Sequence, residues 1–364
     1  MKRIFAFCKR EAVLVIAAVA ACVSMCFVPP DAAYLGYLDF HVLILLFCLM
    51  AVVAGISACG VLDALAARLC ARAGSVRRLI YVLVLLPFFS SMLITNDVAL
   101  ITFVPLALLV LRAAGREELM IHTVVLQTIA ANLGSMATPV GNPQNLFLYS
   151  RFSLAPGAFF STVLPFALVS LLLLLGAVRL LPGGKARVAL PARMPVQAGA
   201  RLWVMLALFA LCLLAVFRLC SDWLLLAAVL AALLICDRAL FSKIDYALLA
   251  TFVFFFLFAG NIARIAPLRA LLAGWMQASP AVCTLLACQG VSNVPAAILL
   301  SGFTDDWRAL LVYTNLGGLG TLIASLASLI SFKLYLRTPH AAPLRYVLLF
   351  TGWNLAFLLI LLCV

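Results

Sequence analysis

Thr95, Asn96 and Asp97 stand together inside the apolar run LITNDVALITFVPLALLV. A hydroxyl, an amide oxygen and a carboxylate at one point can ligate a small hard cation, or the carboxylate can carry a proton. Inside hydrocarbon a carboxylate costs about 2.5 to 3.5 kcal/mol on insertion scales, so Asp97 there asks for a function. The run Pro280 to Phe303 is interrupted in the same way by QGVSN, which supplies Ser292 and Asn293. Two further polar clusters follow a common pattern. NLGSMAT, from Asn132 to Thr138, and NLGGLGT, from Asn315 to Thr321, share Asn, Leu, Gly and Thr at matching positions.

Each interruption ends one half-helix and starts another. Thr95 or Asn96 suits the N-cap of the first, with Asp97 in the first turn; Ser292 or Asn293 suits the second, with Pro295 early in the helix. Helix N-termini offer free N–H groups and partial positive charge, so two of them converging make a place for an anion. GSMATPVGNPQN, with Pro139, Gly141 and Pro143, cannot continue as helix, and GGLGTLIASLAS breaks at Gly317, Gly318 and Gly320. Carbonyls freed at such breaks ligate cations. The expected solute contacts are Thr95, Asn96, Asn142, Asn145, Ser292, Asn293 and Thr321. Those expected for the coupling ion are Asp97, Asn132, Gly134, Thr138, Asn315, Gly317 and Gly318.

The elements that must position these residues are membrane helices. The chain of 364 residues is 67% hydrophobic and 10% charged, with a mean hydropathy of +1.24, far from the balance of a soluble domain. With about 20 apolar residues per crossing, about nine crossings are expected, near 11–28, 41–60, 118–150, 157–181, 201–219, 222–236, 246–262, 308–336 and 345–364. The first reads as an uncleaved span rather than a signal peptide. Residues 79–112 are too long for one crossing and short for two.

Charge resolves that segment, because Lys and Arg collect on the cytoplasmic side. With Lys2, Arg3, Lys9 and Arg10 inside, only Arg151, Arg218, Arg264, Arg269 and Arg308 of the 25 basic residues fall outside. Arg77 and Arg78 before the long run and Arg112 and Arg116 after it then lie on one face, so 79–112 is a hairpin dipping into the membrane. The 280–303 run dips in from the other face. The expected fold is an all-α polytopic membrane protein built as an inverted repeat, with two opposed re-entrant hairpins and two broken helices. Its parts are an N-terminal span (1–40), a first repeat with its scaffold helix (41–182), a cytoplasmic linker (183–200), scaffold helices (201–245), a second repeat (246–337) and a C-terminal span (338–364).

Other classes find little support. The formal charge of +13 sits in short loops, which marks topology rather than nucleic-acid binding. The twelve cysteines contain no CxxC pair, and His41, His122 and His340 are far apart with no HExxH spacing. No metal centre, organic cofactor or enzyme chemistry is expected, and a channel is the remaining alternative to a carrier.

The segments LITNDVALITFVPLAL, NLGSMATPVGNPQNLFLY, QGVSNVPAAILL and NLGGLGTLIASLASLIS resemble the signature segments of the ion transporter superfamily. Within it they resemble the citrate transporter-like and divalent anion:sodium symporter permeases, which have arsenite-efflux and sodium/proton antiporter relatives. The resemblance covers roughly residues 41–337. It implies a secondary transporter of a small anion such as an organic acid, coupled to Na+ or H+, working as an elevator in a bacterial inner membrane, with the N-terminus cytoplasmic and the symporters' homodimeric assembly. In those symporters a Ser-Asn-Thr motif at each hairpin tip holds solute and sodium. Thr95-Asn96 and Ser292-Asn293 match its first two positions, while Asp97 and Val294 replace the threonine. That departure leaves open efflux or cation/proton antiport through Asp97.

Overall fold

The computed structural model describes residues 11–184 and 199–364, and these form α-helices joined by short turns. In chain order the main helices are α1 (Ala12–Phe27), α2 (Phe40–Ala58), α3 (Val61–Ala71), α4 (Val76–Ser90), α5 (Asn96–Ala113), α6 (Met120–Ser135), α7 (Pro143–Arg151), α8 (Pro156–Leu180), α9 (Ala200–Val216), α10 (Asp222–Cys236), α11 (Tyr246–Arg264), α12 (Ala266–Ala278), α13 (Pro280–Val291), α14 (Asn293–Leu300), α15 (Trp307–Leu316), α16 (Leu326–Tyr335) and α17 (Pro343–Leu361). Lys2, Arg3, Lys9 and Arg10, and the 183–200 linker apart from its first two and last two residues, lie outside the described residues.

Among the described residues five helices, α2, α5, α8, α11 and α17, are long and apolar enough to cross a membrane. Helices α1, α9 and α10 are apolar but shorter, at 16, 17 and 15 residues. The expected broken crossings are two-part: α6 and α7 are separated by residues 136–142, and α15 and α16 by residues 317–325. Two helices, α3 and α12, fall where the sequence reading drew only loops. At 11 and 13 residues both are too short to cross a membrane, so a reading scaled to full crossings passes over them.

The first hairpin is α4 and α5, 15 and 18 residues long, joined through residues 91–95. Both of its outer ends meet the same stretch of chain. Arg77 Nη2 donates to Leu181 O (3.3 Å) and Arg116 Nη2 to Gly183 O (3.1 Å), while Val76 N donates to Gly184 O (3.0 Å). The segment therefore leaves and returns at one end of the molecule. Pro87 inside α4 has no N–H for Leu83 O, and the freed carbonyl instead accepts from Gln127 Nε2 of α6 at 2.8 Å.

Packing repeats between the two halves. The first limb of each hairpin lies on the first half of its own broken helix, α4 on α6 and α13 on α15. The second limbs exchange partners, α5 packing on α16 and α14 on α7. Helices α2, α9 and α10 pack together, and α11 bridges α1 to α14. Exposed Leu164, Leu168, Leu172, Trp203, Leu224, Leu348 and Leu359 give the outside an apolar surface suited to lipid.

Candidate solute and ion site

At the head of α5, Thr95 takes the N-cap position without a side-chain cap, and Asn96 Oδ1 accepts from Asp97 N at 3.0 Å. At the head of α14, Ser292 takes the N-cap position, also without a side-chain cap, and Asn293 Oδ1 accepts from Val294 N at 3.0 Å. Each tip asparagine is thus folded back on its own helix start. Each is also tied to the break of its own repeat: Asn96 N donates to Gly141 O (3.2 Å) and Asn293 N to Ala324 O (3.0 Å). The register that aligns Asn132 with Asn315 also aligns Gly141 with Ala324, so these are the same bond made twice.

Ser292 adopts φ 76°, a conformation that residues with a side chain seldom take. Such strain costs on the order of 1 to 3 kcal/mol and persists where neighbours over-determine it. Here Ser292 Oγ and the following N–H both bond to Ala324 O.

Between the tips lies a crossed network of buried amides. Asn132 Oδ1 accepts from Asn96 Nδ2 and from Ser325 Oγ of the other repeat, both at 3.0 Å. Asn315 Oδ1 accepts from Asn142 Nδ2 of the other repeat, also at 3.0 Å, and Asn315 Nδ2 donates to Asn145 Oδ1 at 2.6 Å. The same register aligns Asn142 with Ser325, which occupy the N-cap positions of α7 and α16. Each motif asparagine is therefore held by the residue that starts the opposite repeat's second half-helix. Interhelical bonds of this kind average about 0.6 kcal/mol in membranes, so their main effect is to fix geometry.

Ser325→Ala removes one of two donors to Asn132 and should lower stability by about 0.5 to 1.5 kcal/mol. Asn132→Ala strands both donors and should lower the unfolding midpoint in detergent more. Equal midpoints for the two variants would contradict this account.

The expected residues sort into four groups. Asn96 is bonded to Asn132, and Asn142 and Asn145 are bonded to Asn315, while Ser292 and Asn293 bond Ala324 O, the neighbour of Ser325. Thr95, Asp97 and Asn142 line a cavity of about 240 Å³. The glycines serve close approach: a Cβ on Gly134 would strike Phe88 O, one on Gly317 would lie 2.6 Å from Cys288 Sγ, and one on Gly318 would lie 3.1 Å from Asn293 Nδ2. Thr138 and Thr321 hold the breaks rather than the network. Thr138 Oγ1 donates to Met92 O, and the exposed Thr321 donates its N–H to Gln289 Oε1.

Sequence reading missed four residues. Gln289 Nε2 donates to Gly317 O (3.0 Å) and Leu319 O (2.9 Å), clamping the second break, and QGVSN already placed it beside the tip. Ser325 was visible only as one of several small polar residues. Lys243 and Asp245 line the Asp97 cavity from the stretch between α10 and α11, and nothing local signals that.

Known proteins resemble this chain in sequence and in fold. The chain covers 86% of the solved YdaH transporter of Alcanivorax borkumensis over 91% of its own length, with a TM-score of 0.58 at 16% identity, a likeness of fold. It is 32% identical over 260 residues to the transporter MJ0456 of Methanocaldococcus jannaschii, covering 71% of each chain. It is 30% identical over 301 residues to the inner membrane protein YbiR of Escherichia coli K12, covering 82% of this chain and 80% of that one. The citrate transporter family model matches residues 4–306. The chain is a membrane transporter belonging to the citrate transporter family.

Proposed function

We infer that the protein is a secondary active carrier of a small organic anion, with citrate as the type solute, coupled to Na+ or H+ at Asp97. The observation that carries this is the crossed asparagine network, which bonds Asn96 of the first tip to Asn132 and each motif asparagine to the opposite repeat's break, beside a cavity that Asp97 faces. Helix N-termini attract an anion, and a carboxylate next to them balances it with a cation. In this reading Asn96, Asn142, Asn145, Ser292 and Asn293 take the solute, with Thr95 and Thr321 at its edge. Asn132, Thr138 and Asn315, together with the carbonyls around Gly134, Gly317 and Gly318, surround the ion.

The hairpins enter the membrane from opposite faces and move with α6, α7, α15 and α16 as an elevator against α1, α2 and α9 to α11. The carrier works in the inner membrane with its N-terminus cytoplasmic, as a homodimer formed through the scaffold helices. No organic cofactor or catalysis enters the cycle.

Proteoliposomes loaded with and without a Na+ or pH gradient test the reading through labelled citrate uptake. Asn96→Ala and Asn293→Ala should each reduce uptake by about 10- to 100-fold, the worth of a lost hydrogen bond to a charged group. Uptake unchanged in both variants would remove the site assignment. Citrate expelled against a proton gradient, instead of taken up, would favour antiport through Asp97.

A further inference from the structure

The Asp97 carboxylate accepts no hydrogen bond and makes no ion pair among the described residues, although it faces a cavity of about 240 Å³. The same cavity is lined by Lys243, which is exposed and likewise has no hydrogen bond or ion pair among the described residues, and by Asp245. Asp245 is partly committed elsewhere, since its Oδ1 caps α11 by accepting from Leu248 N at 2.9 Å. The remaining walls include Leu46, Leu49, Val53, Leu146 and Leu248, which lower the local dielectric and strengthen any charge pair formed inside. An unpaired carboxylate and the side chain of an exposed, unpaired lysine thus line one small, mostly apolar space. Asp97 sits on the hairpin, whereas Lys243 sits in the short helical turn Arg238–Lys243 between α10 and α11.

We propose that Lys243 is a tethered counter-cation for Asp97: its ammonium swings into the cavity, displaces the coupling ion from Asp97 and so drives that ion's release at the Lys243 face. Its flexible four-carbon stem lets the ammonium move between bulk water and the cavity. The exchange leaves the charge of the cavity unchanged, because one monovalent cation replaces another. Asp245, at the mouth, draws the departing ion outward. The proposal rests on Asp97 being the coupling residue, and Lys243 adds the step that makes affinity differ between the two faces.

A zero-length carbodiimide cross-link on the full-length protein tests the contact directly. The reagent activates Asp97, and the Lys243 amine then displaces the urea to form an amide. Mass spectrometry should find the Asp97–Lys243 amide in cation-free buffer, reduced several-fold by saturating Na+ or by acid if the proton is the coupling ion. A Lys243–Asp245 amide alone overturns the proposal, as does an Asp97–Lys243 amide that neither cation affects.

In proteoliposomes Lys243→Gln should lower the half-saturating cation concentration at the Lys243 face about tenfold and slow turnover, within the usual range of coupling between sites. Lys243→Arg should keep both near wild type. If Asp97→Asn abolishes cation dependence but Lys243→Gln leaves it unchanged, the tether is wrong and the coupling site stands. If Asp97→Asn keeps full cation dependence, the coupling site itself is wrong.

Discussion

Asp97→Asn is expected to leave a folded carrier that still binds solute but has lost its cation dependence. The substitution keeps shape and removes only the charge. Asp97 lies in the first turn of α5, where a neutral amide is tolerated, and among the described residues its carboxylate makes no bond that an amide would break. Stability should therefore change little. The gradient-driven component of uptake should fall by about 10- to 100-fold, the size of a typical coupling free energy between two ligands. The measurement is citrate uptake in proteoliposomes against stepped Na+ and pH gradients, beside solute binding at fixed cation. An Asp97→Asn carrier that accumulates citrate as steeply as wild type would move coupling away from the first tip.

Gly134→Ala is expected to be more damaging than Gly317→Ala, although the two glycines occupy matching positions of the repeat. A Cβ at this position would collide with Phe88 O and stand 2.8 Å from Ser91 Oγ, and the carbonyl belongs to the α4 backbone. Backbone cannot rotate aside as a side chain can, so α4 and α6 must separate. Overpacking of this kind costs about 1 to 3 kcal/mol. The shift would also carry Asn132, two residues earlier, away from Asn96 and Ser325. Thermal unfolding of the purified variant should begin several degrees earlier, and uptake should fall with it. Gly317→Ala is the internal comparison, because its methyl meets mainly the side chain of Cys288, though Tyr313 O is also within 2.7 Å. The second repeat should suffer less, and a Gly317 variant worse than the Gly134 variant would contradict this.

Much of the architecture is legible in the sequence. Hydropathy located the broken crossings and both interruptions because lipid imposes a long apolar run and every polar departure from it is conspicuous. The match between NLGSMAT and NLGGLGT gives the register of the repeat, and in that register Gly141 and Ala324 accept equivalent bonds and Asn142 and Ser325 take equivalent N-cap positions. Helices α3 and α12 escape a reading scaled to about 20 apolar residues per crossing, because they are 11 and 13 residues long.

By itself the sequence determined that this is a helical membrane protein with two related halves, and it picked out the asparagines at the tips and breaks, since buried amides in apolar runs are costly unless they are used. Only the tertiary structure decided how those amides pair. That Asn132 bonds Ser325 and Asn315 bonds Asn142, each across the repeat, depends on second limbs exchanging partners, which no local pattern encodes. It likewise decided that Lys243, an ordinary loop lysine in sequence, faces the same cavity as Asp97, because a charge gains its meaning from what the fold brings within its reach.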